Sequence, residues 1–228
     1  MTTAADTLAL LDWKRRVFGL YAAIRELPPE SGWELWRDTR DELFRSHPQS
    51  PLPPDRRASF AGLDYWPYDP EARVLAELED VEAPPQGVAT SGAEVRSGAG
   101  QAAASATGRA PSSLRPQEIV FRPFARASFE LGGEPLTLEV SWLAAYGGGA
   151  FLSFRDATSG KESYGGGRYL LDTVKGADLG EDGGRLVLDF NFAYNPSCSY
   201  DPGWVCPLAP PANRLSVAVE AGEQHLHE

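Results

Sequence analysis

The chain has 228 residues, of which 42% are hydrophobic and 11% aromatic, and its 32 acidic and 21 basic side chains give a formal charge of −11. That much apolar material builds a core and excludes global disorder. The acid excess disfavours nucleic acid and anionic membrane surfaces, which are held by clustered Lys and Arg, and no apolar run approaches the ~18–20 residues of a membrane span.

The chain starts Met1-Thr-Thr-Ala-Ala-Asp6, without the basic-then-apolar pattern of a secretory leader, so a cytoplasmic location is expected. Residues 6–27 read as a helix with Asp6 as N-cap. Leu10, Trp13, Val17, Leu20, Ile24 and Leu27 recur at helical spacing, and Pro28-Pro29 stops the run. A second helix is predicted over 31–46, with Ser31 and Glu34 as a capping box and Trp33, Trp36, Arg40 and Leu43 on one face. The tryptophans there read as core anchors. Residues 48–59 form an extended connector. The Tyr68-Asp-Pro70 group turns into a segment at 72–80, whose alternation favours a strand over a helix.

Residues 84–116 are Ala, Gly, Ser, Thr and Pro with almost no large apolar side chain. Such a segment cannot offset its ordering entropy by burial and reads as a flexible insertion. From 117 onward the pattern is strand after strand: 118–124, 127–131, 136–143, 150–155, 168–174, 186–192 and 215–220. Gly132-Gly133, Gly147–Gly149, Gly165–Gly167 and Gly183-Gly184 mark turns between them. The expected fold is α+β and mostly β, with an N-terminal helical pair packed on an antiparallel β-sandwich or barrel. The expected organisation is a helical segment at 1–47, a connector and first strand at 48–83, the insertion at 84–116, the main β domain at 117–222 and a tail at 223–228.

Two stretches hold the candidate chemistry. In the strand 186–192, period two sets Leu186, Leu188, Phe190 and Phe192 on one face and Val187, Asp189 and Asn191 on the other. The polar face is either solvated or the floor of a pocket. It runs into a proline-rich loop carrying Tyr194, Asn195, Tyr200 and Asn213. The second stretch, 151–172, holds a turn at Asp156 and a glycine bend before Arg168. Asp156 reads as a turn cap. Arg155 and Arg168 beside exposed backbone N–H groups suit an anionic group or serve as ion-pair residues. Cys198 and Cys206 are reduced structural thiols, a local disulfide, zinc ligands, or one of them is a nucleophile, for which no base is evident. Zinc lacks a third and fourth ligand, because the chain has three histidines and two of them, His225 and His227, fall in the tail. Neither a Ser-His-Asp triad nor a metal site is indicated, and no cofactor motif is present.

The blocks Phe154–Leu170 and Asp189–Tyr200, followed by Cys206–Leu215 and Glu220-Ala-Gly-Glu223, resemble the bacterial and archaeal domain-of-unknown-function family 1684. Leu43–Leu52 and Phe60–Pro70 are similar to it too, so the resemblance covers most of the chain outside 84–116. It implies no activity. It implies that Arg155, Asp156, Tyr164, Arg168, Asn191, Tyr194, Asn195, Cys198, Cys206 and Asn213 hold motif positions. Ala212 stands where the family tends to carry an acid, which weighs against a carboxylate role there. The reading that follows is a small-ligand-binding module. Arg155, Asp156, Tyr164, Arg168, Asn191, Tyr194, Asn195 and Asn213 form its polar pocket, Cys198 and Cys206 its thiol pair, and a small anionic molecule its partner. The alternative is a hydrolase or transferase using carboxylate, Tyr or Cys chemistry at the same place.

Overall fold

The computed structural model describes residues 3–91 and 119–225. Two helices open the chain, α1 (Ala4–Ile24) and α2 (Pro29–Ser46), followed by the single turn α3 (Pro54–Arg57). Asp6 does not cap α1. Thr3 does, and Asp6 closes a capping box by accepting the Thr3 backbone N–H at 2.9 Å. α2 starts two residues before Ser31, because Pro29 at the first helical position has its φ preset and no N–H to satisfy. The stripe is as the spacing predicts. Leu20, Tyr21 and Ile24 of α1 bury with Trp33 and Trp36 of α2, against Ala177 and Phe192 of the β portion.

Among the described residues, eight strands form one antiparallel sheet: β1 (Arg73–Asp80), β2 (Gln86–Gly87), β3 (Val120–Leu131), β4 (Glu134–Leu143), β5 (Ala150–Phe154), β6 (Arg168–Asp172), β7 (Glu181–Asp182) and β8 (Arg185–Asp189). Their order is β6-β5-β4-β3-β1-β8-β7, with β2 paired to β3. The sheet curls into a half-barrel with the helices packed on it, so the α+β, mostly β expectation holds. β1 hands over along its length: Arg73–Ala76 pair with β8 and Glu77–Asp80 with β3. The core gathers Ala76, Ala127, Leu138, Leu152, Phe154 and Phe190.

Three expectations change. The segments 118–124 and 127–131 are one strand, interrupted by a register shift between Pro123 and Ala125. Pro123 has no N–H for the ladder, so the break shows in the sequence as a strand end. Residues 215–220 form no strand; they run irregularly across the sheet. Strand β8 ends at Asp189, and Phe190–Phe192 continue as a 3-10 turn in which the Asn191 backbone N–H is met by the Asp189 side chain. Of the expected insertion, 92–116 lies outside the described residues. Its first part is built in, since Gln86 and Gly87 pair with β3 and Thr90 bridges Pro207. The β3–β4 and β7–β8 hairpins turn on Gly132-Gly133 and Gly183-Gly184, with φ between 58° and 78° at all four, as a type I′ turn requires.

Candidate functional site

Between the helix pair and the β6 edge of the sheet lies a cavity of about 160 Å³. Its wall is mainly apolar: Leu10 and Val17 of α1, Trp36 of α2, Phe121 and Phe151 of the sheet, and Trp204 of the proline-rich loop. A space of this order accommodates roughly a benzene-sized group. The polar wall is concentrated at Arg40, Tyr169, Asp172, Lys175, Tyr194 and Asn195, with Lys14 on α1. Lys175 pairs with Asp172 at 2.9 Å. Lys14 makes no ion pair among the described residues.

Next to this wall sits a buried charge cluster. Arg40, on the apolar stripe of α2, reaches the fully buried Glu223 carboxylate at 2.6 Å and the Tyr65 hydroxyl at 3.2 Å. Its guanidinium lies over Trp36, Phe44 and Tyr194 at 4.9–5.2 Å. The second Glu223 oxygen accepts the Tyr200 hydroxyl, and the Asn195 backbone N–H donates to the first at 3.0 Å. A carboxylate inside the protein is costly unless paired and hydrogen-bonded. Burial pushes the Glu223 carboxyl up, and Arg40 and the donors pull against it. Three distant parts of the chain are thereby joined: α2, the proline-rich loop and residues 219–225. Glu223 to His225, assigned to a tail by sequence, are held in the fold, with the Gln224 backbone N–H donating to Asp64 and that of His225 to Glu162.

The motif residues divide into several groups. Tyr194, Asn195 and Cys206 line the cavity. Asn195 donates to the Gln224 carbonyl at 2.7 Å, which orients its amide, while its Oδ1 is buried with no protein partner. The Tyr194 hydroxyl faces the Asp172 carboxylate, and burial raises it far above the usual phenol range.

Arg168 and Asp156 lie elsewhere, beneath residues 215–223. The Arg168 side chain is 1% exposed; it donates to the carbonyls of Val219 at 2.8 Å and Ala221 at 2.5 Å and approaches Asp156 at 3.4 Å. Its ring neighbours are Trp66 and Phe154. Burial lowers the guanidinium to about 10, with Asp156 and Glu223 acting against that fall. Asp156 accepts the Val219 backbone N–H at 2.7 Å and the hydroxyls of Thr158 and Ser159 at 2.9 Å, so it meets the turn through hydroxyls and spends its backbone acceptance on residue 219. Neither residue reaches the cavity. Arg155 joins this region through its backbone, bonded to Asn213 and Leu215, while its Nε has no partner. The bend before Arg168 needs glycine at 167: φ is +96°, and a Cβ there would sit 2.6 Å from the Phe154 carbonyl.

Asn191 and Asn213 knit backbone together. Asn213 accepts the Glu139 N–H at 2.7 Å and donates to Glu139 and Ser153 carbonyls at 2.9 Å, tying the loop to β4 and β5. Asn191 brackets Asp69 from both sides at 2.9 and 2.7 Å. The polar face of β8 is therefore not solvated. Asp189 is 1% exposed, one of its oxygens accepts two bonds from Asn191, and the other has Arg73 Nε at 3.8 Å, beyond hydrogen-bond range. Burial raises its carboxyl to about 6, against the bonds from Asn191.

Both cysteines are reduced and buried. The Tyr164 hydroxyl is 3.5 Å from Cys198 Sγ. Ser91 links this loop to the start of the 84–116 segment: its backbone N–H donates to the Cys206 carbonyl, and its Oγ accepts the Cys206 N–H, both at 2.9 Å. Among the described residues, no group of three or more His, Cys, Asp and Glu side chains gathers as a metal site.

Sequence reading missed Arg40, Asp172 and Lys175 at the cavity. Arg40 carries a signal in hindsight, since it is a cation on the same helical face as Trp33, Trp36 and Leu43. Asp172 and Lys175 have none, because their pairing depends on the tight turn after β6.

No curated protein matches the chain. Among solved structures, it is similar to the uncharacterised protein from gene locus rrnAC0354 of Haloarcula marismortui, determined by solution NMR. The two are 33% identical, the match covers 86% of this chain and 93% of that one, and the TM-score is 0.55. A family model described as a protein of unknown function (DUF1684) matches residues 58–224. That range takes in the cavity loop, both thiols, Arg168 and Glu223, and the chain is accordingly a member of the DUF1684 family.

Proposed function

We propose that the protein is a binding module for a small amphipathic molecule with an anionic head, seated in the cavity between α1, α2 and the β6 edge. The observation that carries this reading is the composition of the cavity wall: an apolar lining that ends at one unpaired cation, Lys14, and one buried acceptor without a partner, Asn195 Oδ1. Apolar pockets with a few convergent polar groups are the usual form of small-molecule sites. Arg40 and Lys175 are already neutralised by Glu223 and Asp172. The charge available to a ligand is therefore that of Lys14, and the hydrogen bond on offer is an acceptor. A ligand hydroxyl or amide would complete Asn195, and a carboxylate or phosphate would meet Lys14.

The test is thermal unfolding with a series of short-chain to medium-chain fatty acids, their neutral alcohols, and polar anions such as citrate. A fatty acid at 100 times its Kd would stabilise the fold by about 2.7 kcal/mol. The alcohols should shift the melting point less and citrate not at all. Val17→Trp, which fills the cavity from α1, should abolish the response. Equal shifts for citrate and fatty acids, or none for any, would defeat the reading.

A further inference from the structure

We infer that the outer face of α1 is an interaction surface for a second copy of this chain, packed antiparallel across a two-fold axis level with Trp13. This does not depend on what occupies the cavity.

The helix is apolar on two sides. Toward the fold it turns Leu20, Tyr21 and Ile24 to the core and Leu10, Trp13 and Val17 to the cavity. Toward solvent it turns Leu8, Leu11 and Phe18, which are 65%, 41% and 47% exposed. A helix covered on one side only carries one apolar stripe and an opposite polar face. The outer apolar residues are not scattered. Ala4, Leu8, Leu11, Arg15, Phe18 and Ala22, all exposed, follow one another at spacings of four, three, four, three and four. That alternation is the repeat of a helix–helix seam. At 100° per residue the six side chains fall within an arc of about 80°.

The stripe is self-complementary in one orientation. With two copies antiparallel and centred on Trp13, Ala4 meets Ala22, Leu8 meets Phe18 and Leu11 meets Arg15, and the two-fold repeats each layer. Small residues meet at the ends and large ones near the middle. Charge selects this arrangement over the parallel one, in which the two Arg15 side chains would oppose each other. Arg15 makes no ion pair among the described residues. In the antiparallel pair its stem lies over Leu11 of the second copy and its guanidinium reaches the neighbouring Asp12. That carboxylate is half-exposed and binds Arg16 at 2.9 Å and His47 at 3.2 Å through Oδ2 alone, which leaves Oδ1 for the incoming cation. A single polar residue within such a seam fixes its register at some cost in affinity. From Ala4 to Ala22 the stripe is about 27 Å long. A strip of that length covers on the order of 300–400 Å² on each copy, well below the roughly 800 Å² of a stable interface. The dimer is therefore a transient one, dissociating at roughly 10–100 µM.

The experiment is sedimentation velocity of the full chain from about 5 to 500 µM, a span that brackets that range. The weight-average mass should rise from the monomer toward twice its value. Leu11→Glu should remain a monomer throughout with the native melting temperature, because its side chain points to solvent. Arg15→Glu, which sets a carboxylate against Asp12, should weaken association about tenfold or more, and Arg15→Leu should strengthen it by a similar factor. Orientation is read by cross-linking. Leu8→Cys combined with Phe18→Cys should form a disulfide-linked dimer under mild oxidation, and Leu8→Cys alone should not. A native chain that is monomeric at every concentration overturns the inference. So does a mass curve unchanged by Leu11→Glu, or cross-linking by Leu8→Cys alone, which reports a parallel pair. Binding of a monomeric chain to phosphatidylglycerol vesicles, lost in Leu11→Glu, would assign the face to a lipid surface and overturn it equally.

Discussion

Replacing Arg168 with Met tests whether this guanidinium holds the chain together. Met matches the length and removes the charge and all donors. The Val219 and Ala221 carbonyls lose their partners, and Asp156 loses its cation while keeping the Val219 N–H, Thr158 and Ser159. Each buried group left unsatisfied costs about 1–3 kcal/mol. Breaking a buried ion pair costs roughly 3–5 kcal/mol when the partner is left bare, but Asp156 is not left bare, so the lower end applies. Against these losses stands the recovered cost of burying a guanidinium, visible in the lowering of Arg168 to about 10. The balance is a loss of about 3–4 kcal/mol, or roughly 6–16 °C in melting temperature for a domain of this size. Thermal and urea unfolding followed by circular dichroism measure it, and hydrogen exchange should show the Val219 amide losing protection first. Arg168→Lys should fall between, since one ammonium cannot span two carbonyls and Asp156 with the same fork. A loss below about 1 kcal/mol for Arg168→Met, with Val219 still protected, would show that residues 215–223 are held by other contacts.

The remaining predictions concern buried polar groups. Asp189, raised to about 6 in the fold, contributes stability that is complete below the unfolded carboxylate range near 3.9 and is lost as pH rises through about 6, a swing of roughly 3 kcal/mol. Asp189→Asn should remove that pH dependence, gaining on the native chain between pH 4 and 7 in urea titrations; parallel pH curves for the two would refute the assignment. Asn213→Ala should cost at least about 1–3 kcal/mol through orphaned groups on β4 and β5, read as a lower urea midpoint with an unchanged slope, and an unchanged midpoint counts against the role.

Local features of the fold were legible where the physics is local. Leu20, Ile24, Trp36 and Leu43 are buried because helical periodicity and burial are the same statement. Gly132-Gly133 and Gly183-Gly184 turn because two adjacent residues must adopt positive φ. The alternation in 186–192 was read correctly as geometry only as far as Asp189, where the strand gives way to a 3-10 turn, and incompletely as environment. Period two separates faces but does not say whether both are covered, and here Val187 and Asp189 are as buried as Leu188. Residues 215–220 alternate like a strand yet form no ladder, since their hydrogen bonds go to Arg155, Ala157, Asp156 and Arg168. The site was least legible. Arg40 and Glu223 are 183 positions apart, and a pair at that separation leaves no periodic trace. The glycine bend and the proline-rich loop were expected to share one pocket. In the fold, Arg168 and Asp156 face residues 219–223, while Tyr194, Asn195 and Cys206 face the cavity.

The placement of residues 215–224 bears on how the protein is made. Synthesis is vectorial, and these residues leave the ribosome after everything they connect: Arg40 of the second helix, Arg168 of the sixth strand and Asp64 of the connector. Until they emerge, Arg40 lacks its carboxylate, Arg168 lacks its carbonyl acceptors and keeps only Asp156, and the helix pair lacks the Arg40–Glu223 ion pair. Folding of the whole unit therefore waits for residues 215–224, however early the first two helices form. A nascent chain stalled before Val219 would present Arg40 without its carboxylate and Arg168 with Asp156 as its one acceptor in an apolar setting, which is the kind of species that chaperones and proteases sort from finished protein.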